Sequence, residues 1–190
     1  MSAILQKTKQ FVLSEMAKND AAHDEGHILR VVSLVQTLCR AYPEANAYRA
    51  ELLAWLHDMN DDKLASNVGM GFVSAFLQSI GTTAEDIRFV SEALPYISYR
   101  KHPKLSADIP LEIRIVQDAD RIDAIGAVGI ARTFAYGGAK GRPLEESLAH
   151  FEKKLLLLYD LLSTSAAREL GKSRLALLQD FYRQYQEETK

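Results

Sequence analysis

A single cysteine, Cys39, rules out any intrachain disulfide and fits a reducing compartment. Its setting, LVQTLCRAY, is an apolar helix face, the setting of a buried inert thiol rather than a reactive one. The chain also lacks an excess of positive charge. Its formal net charge of −2 argues against non-specific nucleic-acid binding, which needs clustered cations to displace counterions. Long apolar runs are missing too. The longest, Ala124 to Ala131 and Leu155 to Tyr159, fall far short of the roughly 20 residues that span a bilayer. The first twenty residues mix Lys, Gln, Ser and Glu among apolar positions, unlike a signal peptide. A soluble, cytoplasmic protein with no membrane partner is expected. No Walker-type loop or dinucleotide-binding glycine fingerprint occurs, which disfavours ATP-driven and nicotinamide chemistry. Period-2 alternation is scarce, and repeats, low-complexity tracts and a clear linker are absent.

What remains is helical. The 190 residues, 47% hydrophobic and 25% charged, suffice for one domain with a substantial core. Ile4, Phe11, Val12 and Met16 form an amphipathic stripe that ends near Asn19-Asp20. A second helix begins around Asp24, carries Ile28, Val31, Val32, Val35 and Leu38, and is closed by Pro43. Ala47 to His57 reads as a buried helix, and 60–71 as a loop. Phe72 to Ile80 is a short helix stopped by Gly81. Thr83 caps Ala84 to Leu94, with Glu85 and Asp86 suiting the dipole. Pro95, Pro103 and Pro110 bracket a loop. Pro110 opens a helix through Asp120, AIGAVGIARTF continues it, and YGGAKGRP is a Gly-rich basic loop. Helices over about 144–162 and 165–187 close the chain. The Leu-rich 155–162 stretch is core or the seam of a homodimer. The expectation is all-α, one domain over 1–190.

Three distant segments hold residues that are costly near apolar helices unless partnered. His27 lies in HDEGH, His57-Asp58 in ELLAWLHD, and Asp118 and Asp120 in QDADR. Together they offer a mixed N/O set for one divalent cation. His23 and His27, four apart, share a helix face, a weak signal alone. Asp118 and Asp120 project about 200° apart on a helix, so one faces a site while the other caps, pairs or solvates. Spacing does not say which.

In order, these blocks resemble the HD-domain superfamily of metal-dependent phosphohydrolases: H, then HD, then D, on separate helices of an all-α bundle. HDEGH, HDMNDDK, DADRIDAIGAVGIAR and YGG match the small bacterial HD hydrolases most closely, over about residues 20–145. Those hydrolases include nucleotide pyrophosphohydrolases. The resemblance implies a single-domain HD bundle, with the C-terminal helices packed on its core. It also implies His27, His57, Asp58 and Asp120 as ligands to one divalent ion. Mn²⁺ or Mg²⁺ comes first, then Ni²⁺, Co²⁺, Fe²⁺ or Zn²⁺. It makes Asp118 a partner to a ligand or neighbouring base, and His23 an outer-sphere group that orients water or phosphate. The loop SYRKHPK lacks the His-Ser step of close relatives and offers a displaced His102.

Other roles follow from position. Asp61, three residues past Asp58, is placed to orient or deprotonate an attacking water, or is a turn carboxylate. Lys63 and Lys140 would meet substrate phosphates, or are solvated. Arg121 would reach a phosphate, or pair with Asp118 or Glu112. Asp123 would hold a ligand or an Arg on the substrate side. The expected activity is hydrolysis of a small phosphorylated molecule, a nucleotide, with a triphosphate cut to monophosphate and pyrophosphate. The alternatives are a nucleoside monophosphate phosphatase and a metal-dependent nucleotide sensor without turnover.

Overall fold

The computed structural model describes residues 2–17, 25–59, 69–97 and 109–189, except the side chains of 69 and 70. Among the described residues, the regular elements are α-helices and one short 3-10 turn, with no strand. No helix among them is long and apolar enough to cross a membrane. They divide into two compact units, 1–117 and 118–190. The dividing point lies inside a helix, so the sequence carries no Pro/Gly/Ser linker to mark it.

The first unit holds α1 (Ala3–Met16), α2 (Glu25–Cys39), α3 (Ala47–Leu56), α4 (Gly69–Ser79), α5 (Ala84–Ile97) and the start of α6 (Leu111–Asp123). Helix α3 is its centre and packs against α1, α2 and α5. Ala50, Leu52, Leu53, Ala54, Trp55 and Leu56 are all buried, covering successive faces of the helix. A helix apolar all round is stable only where neighbours surround it. Asn46 caps its start by accepting from the Arg49 amide at 3.1 Å. Arg49 then binds Asp86 at 2.7 Å and Glu85 at 2.6 Å, tying α3 to the first turn of α5. There Thr83 Oγ1 accepts from the Asp86 amide, the N-cap expected from sequence, and donates to the Asp86 carboxylate.

Helix α5 runs beyond its expected end at Leu94, with Pro95 inside its last turn. A proline so near the terminus costs one backbone bond and little else. The Tyr96 carbonyl beyond it accepts from Gln117 Nε2 at 2.7 Å.

In the second unit, α6 ends at Asp123, and α7 (Gly126–Ala139), α8 (Leu144–Lys153), a 3-10 turn (Leu155–Leu157) and α9 (Ser165–Glu188) follow. Two expectations change here. The helix through Asp120 does not continue unbroken into AIGAVGIARTF, because Gly126 takes φ 77° and the chain turns before α7. Tyr136-Gly137-Gly138 is not a loop either; it is the last turn of α7. Gly137 sits there because α8 comes close: a Cβ on it would lie 2.1 Å from Ser147 Oγ. The helix ends at Ala139, with Lys140 as its C-cap and Gly141 (φ 65°) just beyond, where the Arg142 amide bonds back to the Gly137 carbonyl at 2.9 Å.

The expected single helix over 144–162 breaks at Lys154 (φ −142°, ψ −61°). Leu155, Leu158 and Leu162 are core, whereas Leu157 is exposed. Phe134, Phe151, Phe181 and Tyr182 pack together with ring centroids 5.7–6.1 Å apart.

The fully buried Asp118 starts α9. Its carboxylate accepts from the Ser163 amide (2.9 Å) and hydroxyl (3.1 Å), and from the Thr164 amide (2.8 Å) and hydroxyl (2.7 Å). Thr164 is itself the N-cap of α9. One carboxylate thus satisfies four donors at a helix start. Removing it strands them in the interior. Asp118→Ala should lower the unfolding free energy by about 3 kcal/mol in urea titrations. A loss below about 1 kcal/mol would mean that the cap is dispensable.

Burial pushes the Cys39 thiol up to about 11, with the carboxylates of Glu112 and Glu51 adding to the shift. The raised value favours the protonated form in the fold. Its stabilising contribution is present at neutral pH and is lost as pH rises through about 11. Cys39 should therefore react with a disulfide reagent at pH 8 far more slowly in the folded protein than in urea. Equal rates in the two states would contradict its burial.

Candidate metal centre

His27 lies in the first turns of α2, and His57 is the C-terminal cap of α3 with Asp58 next to it. Packing of α2 on α3 joins residues thirty apart in sequence. The His57 Nε2 and His27 Nε2 atoms are 3.3 Å apart. Asp58 reaches both: Oδ2 is 3.4 Å from His27 Nε2, and Oδ1 is 3.4 Å from His57 Nε2. The rings meet edge-on, with centroids 5.2 Å apart and planes at 69°.

These spacings suit shared coordination. Ligand atoms about 2.1 Å from one ion lie about 3.0 Å apart at right angles and about 3.4 Å apart at the tetrahedral angle. The side chains of His27 and His57 are 9% and 2% exposed, and that of Asp58 is 36% exposed. The imidazoles are thus sheltered, while the carboxylate side opens toward solvent.

The tautomer is set by the backbone. His57 Nδ1 lies 2.8 Å from the Ala54 carbonyl, which can only accept, so Nδ1 carries the proton. Nε2 then presents its lone pair toward His27. Two imidazole nitrogens at this distance need a proton or a cation between them. A divalent cation also satisfies the carboxylate, so the donor set fits one. Among the described residues, His27, His57 and Asp58 are the group whose ligand atoms can converge on an ion.

The other expected site residues fare differently. Asp120 lies on the part of α6 that belongs to the second unit. Asp118, expected to partner a ligand or base, has its oxygens on the start of α9. Arg121 was expected at a substrate phosphate or paired with Asp118 or Glu112. It is 4% exposed, donates to the Leu161 carbonyl at 2.8 Å and lies 3.6 Å from Asp118. Asp123 is fully buried and binds Arg132 at 3.1 Å. Lys140 is exposed at the end of α7, 5.9 Å from the Tyr136 ring centre. His23, Asp61, Lys63 and His102 lie outside the described residues.

One functional contact escaped the sequence reading, the Ala54 carbonyl. A His that closes an apolar helix reaches its own last-turn carbonyls, and that position is visible in ELLAWLHD.

No protein-family model matches the chain. The Bacillus subtilis (strain 168) protein YpgQ is 34% identical over 190 residues, covering 96% of this chain and 92% of that one. The crystal structure of YpgQ in complex with ADP matches with a TM-score of 0.84 at 32% identity, covering 97% of this chain and 94% of that one. An HD-superfamily hydrolase from Bacillus thuringiensis matches with a TM-score of 0.78 at 36% identity, covering 97% and 95%. Identity of that order over nearly the whole of both chains, on an all-α fold, places this chain in the HD superfamily of hydrolases.

Proposed function

We propose that the chain is a divalent-metal-dependent phosphohydrolase acting on a nucleotide, with a nucleoside triphosphate cut to monophosphate and pyrophosphate. The observation that carries this reading is the convergence of His27, His57 and Asp58 within coordination distance. The ADP bound to YpgQ supports a nucleotide over other small phosphorylated molecules. Asp120 is the fourth ligand in this reading. The full burial of Asp118 and its engagement with Ser163 and Thr164 at the start of α9 support that choice.

A divalent ion held there, Mn²⁺ or Mg²⁺ first, supplies Lewis acidity at a phosphoryl oxygen and lowers the pKa of bound water. The chain supplies the rest. His57 keeps Nε2 aimed without reorganisation, because its other nitrogen is fixed to Ala54. The half-open Asp58 leaves the approach from solvent clear. Asp61 takes the proton of the attacking water, His23 orients that water or a phosphate oxygen, and Lys63 and Lys140 meet the phosphate charge. In this reading Arg121 lies toward a substrate phosphate, and Asp123, which binds Arg132, holds an arginine on that side.

Metal analysis of the purified protein, joined to a panel of nucleoside tri-, di- and monophosphates with Mn²⁺, Mg²⁺, Co²⁺, Ni²⁺, Fe²⁺ and Zn²⁺, tests the reading. Pyrophosphate released from a triphosphate is the expected product. Free phosphate from monophosphates alone would replace it with a phosphatase. Tight nucleotide binding with no turnover under any of these ions would make the chain a sensor. Asp58→Ala should remove the ion and lower turnover by about a hundredfold or more. Unchanged metal content in that variant would sink the proposed centre.

Asp120→Ala should lower the amount of bound metal. Wild type should gain about 2.7 kcal/mol of stability from the ion at a hundred times its Kd, and the variant should gain less. The same gain in both proteins would exclude Asp120 as a ligand.

A further inference from the structure

Within the second unit, a groove of about 390 Å³ runs between the start of α7 and the middle of α9. It is lined by Ile125, Ala127, Val128, Ser173, Arg174 and Leu177. That volume is in the range of small-molecule sites. Its walls are apolar, yet Leu177 is left 46% exposed at its edge, a surface that a ligand would remove from water.

The polar groups of the groove are all able to donate. Arg174 uses one of its five N–H groups, donating through Nη1 to the Ile122 carbonyl at 2.8 Å. That bond anchors the guanidinium without consuming it. Arg174 makes no ion pair among the described residues, and Ser173 spends its hydroxyl on no partner there. No carboxylate lines the groove. The nearby acids on α9, Glu169 and Asp180, are paired with Lys172 and Arg183. Gly126 lets the stem of Arg174 lie against the chain: a Cβ there would be 3.0 Å from Arg174 Cβ. The start of α7 adds helix-dipole charge of the same sign.

We propose that this groove binds a small organic monocarboxylate carrying a short apolar chain. The carboxylate meets the planar fork of Arg174 and the Ser173 hydroxyl. The chain lies over Ile125, Val128 and Leu177. A single cation suits a monoanion, and the apolar walls distinguish it from a bare inorganic anion.

Amide and side-chain NMR spectra of the full-length protein, titrated with hexanoate, test this. Saturable shifts are expected at Ala127, Val128, Arg174 and Leu177, with none from hexylamine and weaker ones from inorganic phosphate. Arg174→Gln should weaken hexanoate binding about tenfold or more, the loss of a charge-assisted hydrogen bond. Leu177→Glu, a change at an exposed position that keeps the fold, should abolish it by placing a carboxylate at the rim. Should Arg174→Gln fail to fold, Leu177→Glu alone decides. The proposal is overturned if hexanoate gives no saturable shift, if phosphate or hexylamine acts equally well, or if Leu177→Glu binds like wild type.

Discussion

The hydrogen bond from His57 Nδ1 to the Ala54 carbonyl, 2.8 Å long, joins the folding of α3 to the chemistry of its last residue. The carbonyl belongs to the final turn, where helix geometry leaves acceptors without partners. By capping it, His57 satisfies a group that would otherwise be stranded beside a buried apolar helix. The same bond fixes which nitrogen holds the proton. The site nitrogen is therefore a lone-pair donor because the helix must end correctly, and a separate device to select the tautomer is unnecessary. Packing of α2 on α3 then sets the second nitrogen 3.3 Å away, close enough for the two rings to share a proton or a cation. The fold supplies the geometry for that sharing.

Buried carboxylates have a different task in the second unit. Asp118 and Asp123 are both fully buried. Asp118 feeds the start of α9, and Asp123 holds Arg132. Each burial is compensated by donors or a cation, the condition under which an interior charge does not unfold its surroundings. In the string DADRID, Asp118 was expected to partner a ligand or base and Asp123 to hold a ligand or an Arg. Asp123 does bind an arginine, Arg132, and the Arg121 guanidinium donates to a backbone carbonyl.

Much of this was legible beforehand. Apolar spacing located α1, α2 and α3 to within a few residues, because amphipathic or wholly buried helices write their packing into the chain. Thr83 announced the start of α5, and Gly81 the end of α4. The cluster of His27 with His57 and Asp58 rested on the order of the motif blocks, since neither HDEGH nor HD is specific alone. What escaped was non-local. The donors of Asp118 lie 45 and 46 residues away, so no window on the sequence shows that it caps α9. Tyr136-Gly137-Gly138 read as a loop because glycine disfavours helices. Its helical state follows from the approach of α8, which only Gly137 permits. The break at Lys154 was hidden by a Leu-rich run with helical periodicity on both sides.

The DADR segment shows how one helix serves two purposes. Residues two apart on α6 point in nearly opposite directions, about 200° apart. A chain with a carboxylate at each position can commit one to a helix cap and keep the other for a ligand, and neither competes for the same donors. Spacing alone left that assignment open, because an acidic residue on a helix reads the same whether it will bind amides or an ion. Four donors on Asp118 show that its carboxylate caps α9. They also explain why substitution at the two positions should fail differently. Loss of Asp118 leaves amides and hydroxyls unsatisfied in the interior, a defect in the folded state whatever is bound. Loss of Asp120, the fourth ligand of the proposed site, would register in affinity for the ion. Stability without metal and affinity for metal are therefore separable in this helix, and their separation distinguishes an architectural carboxylate from a functional one.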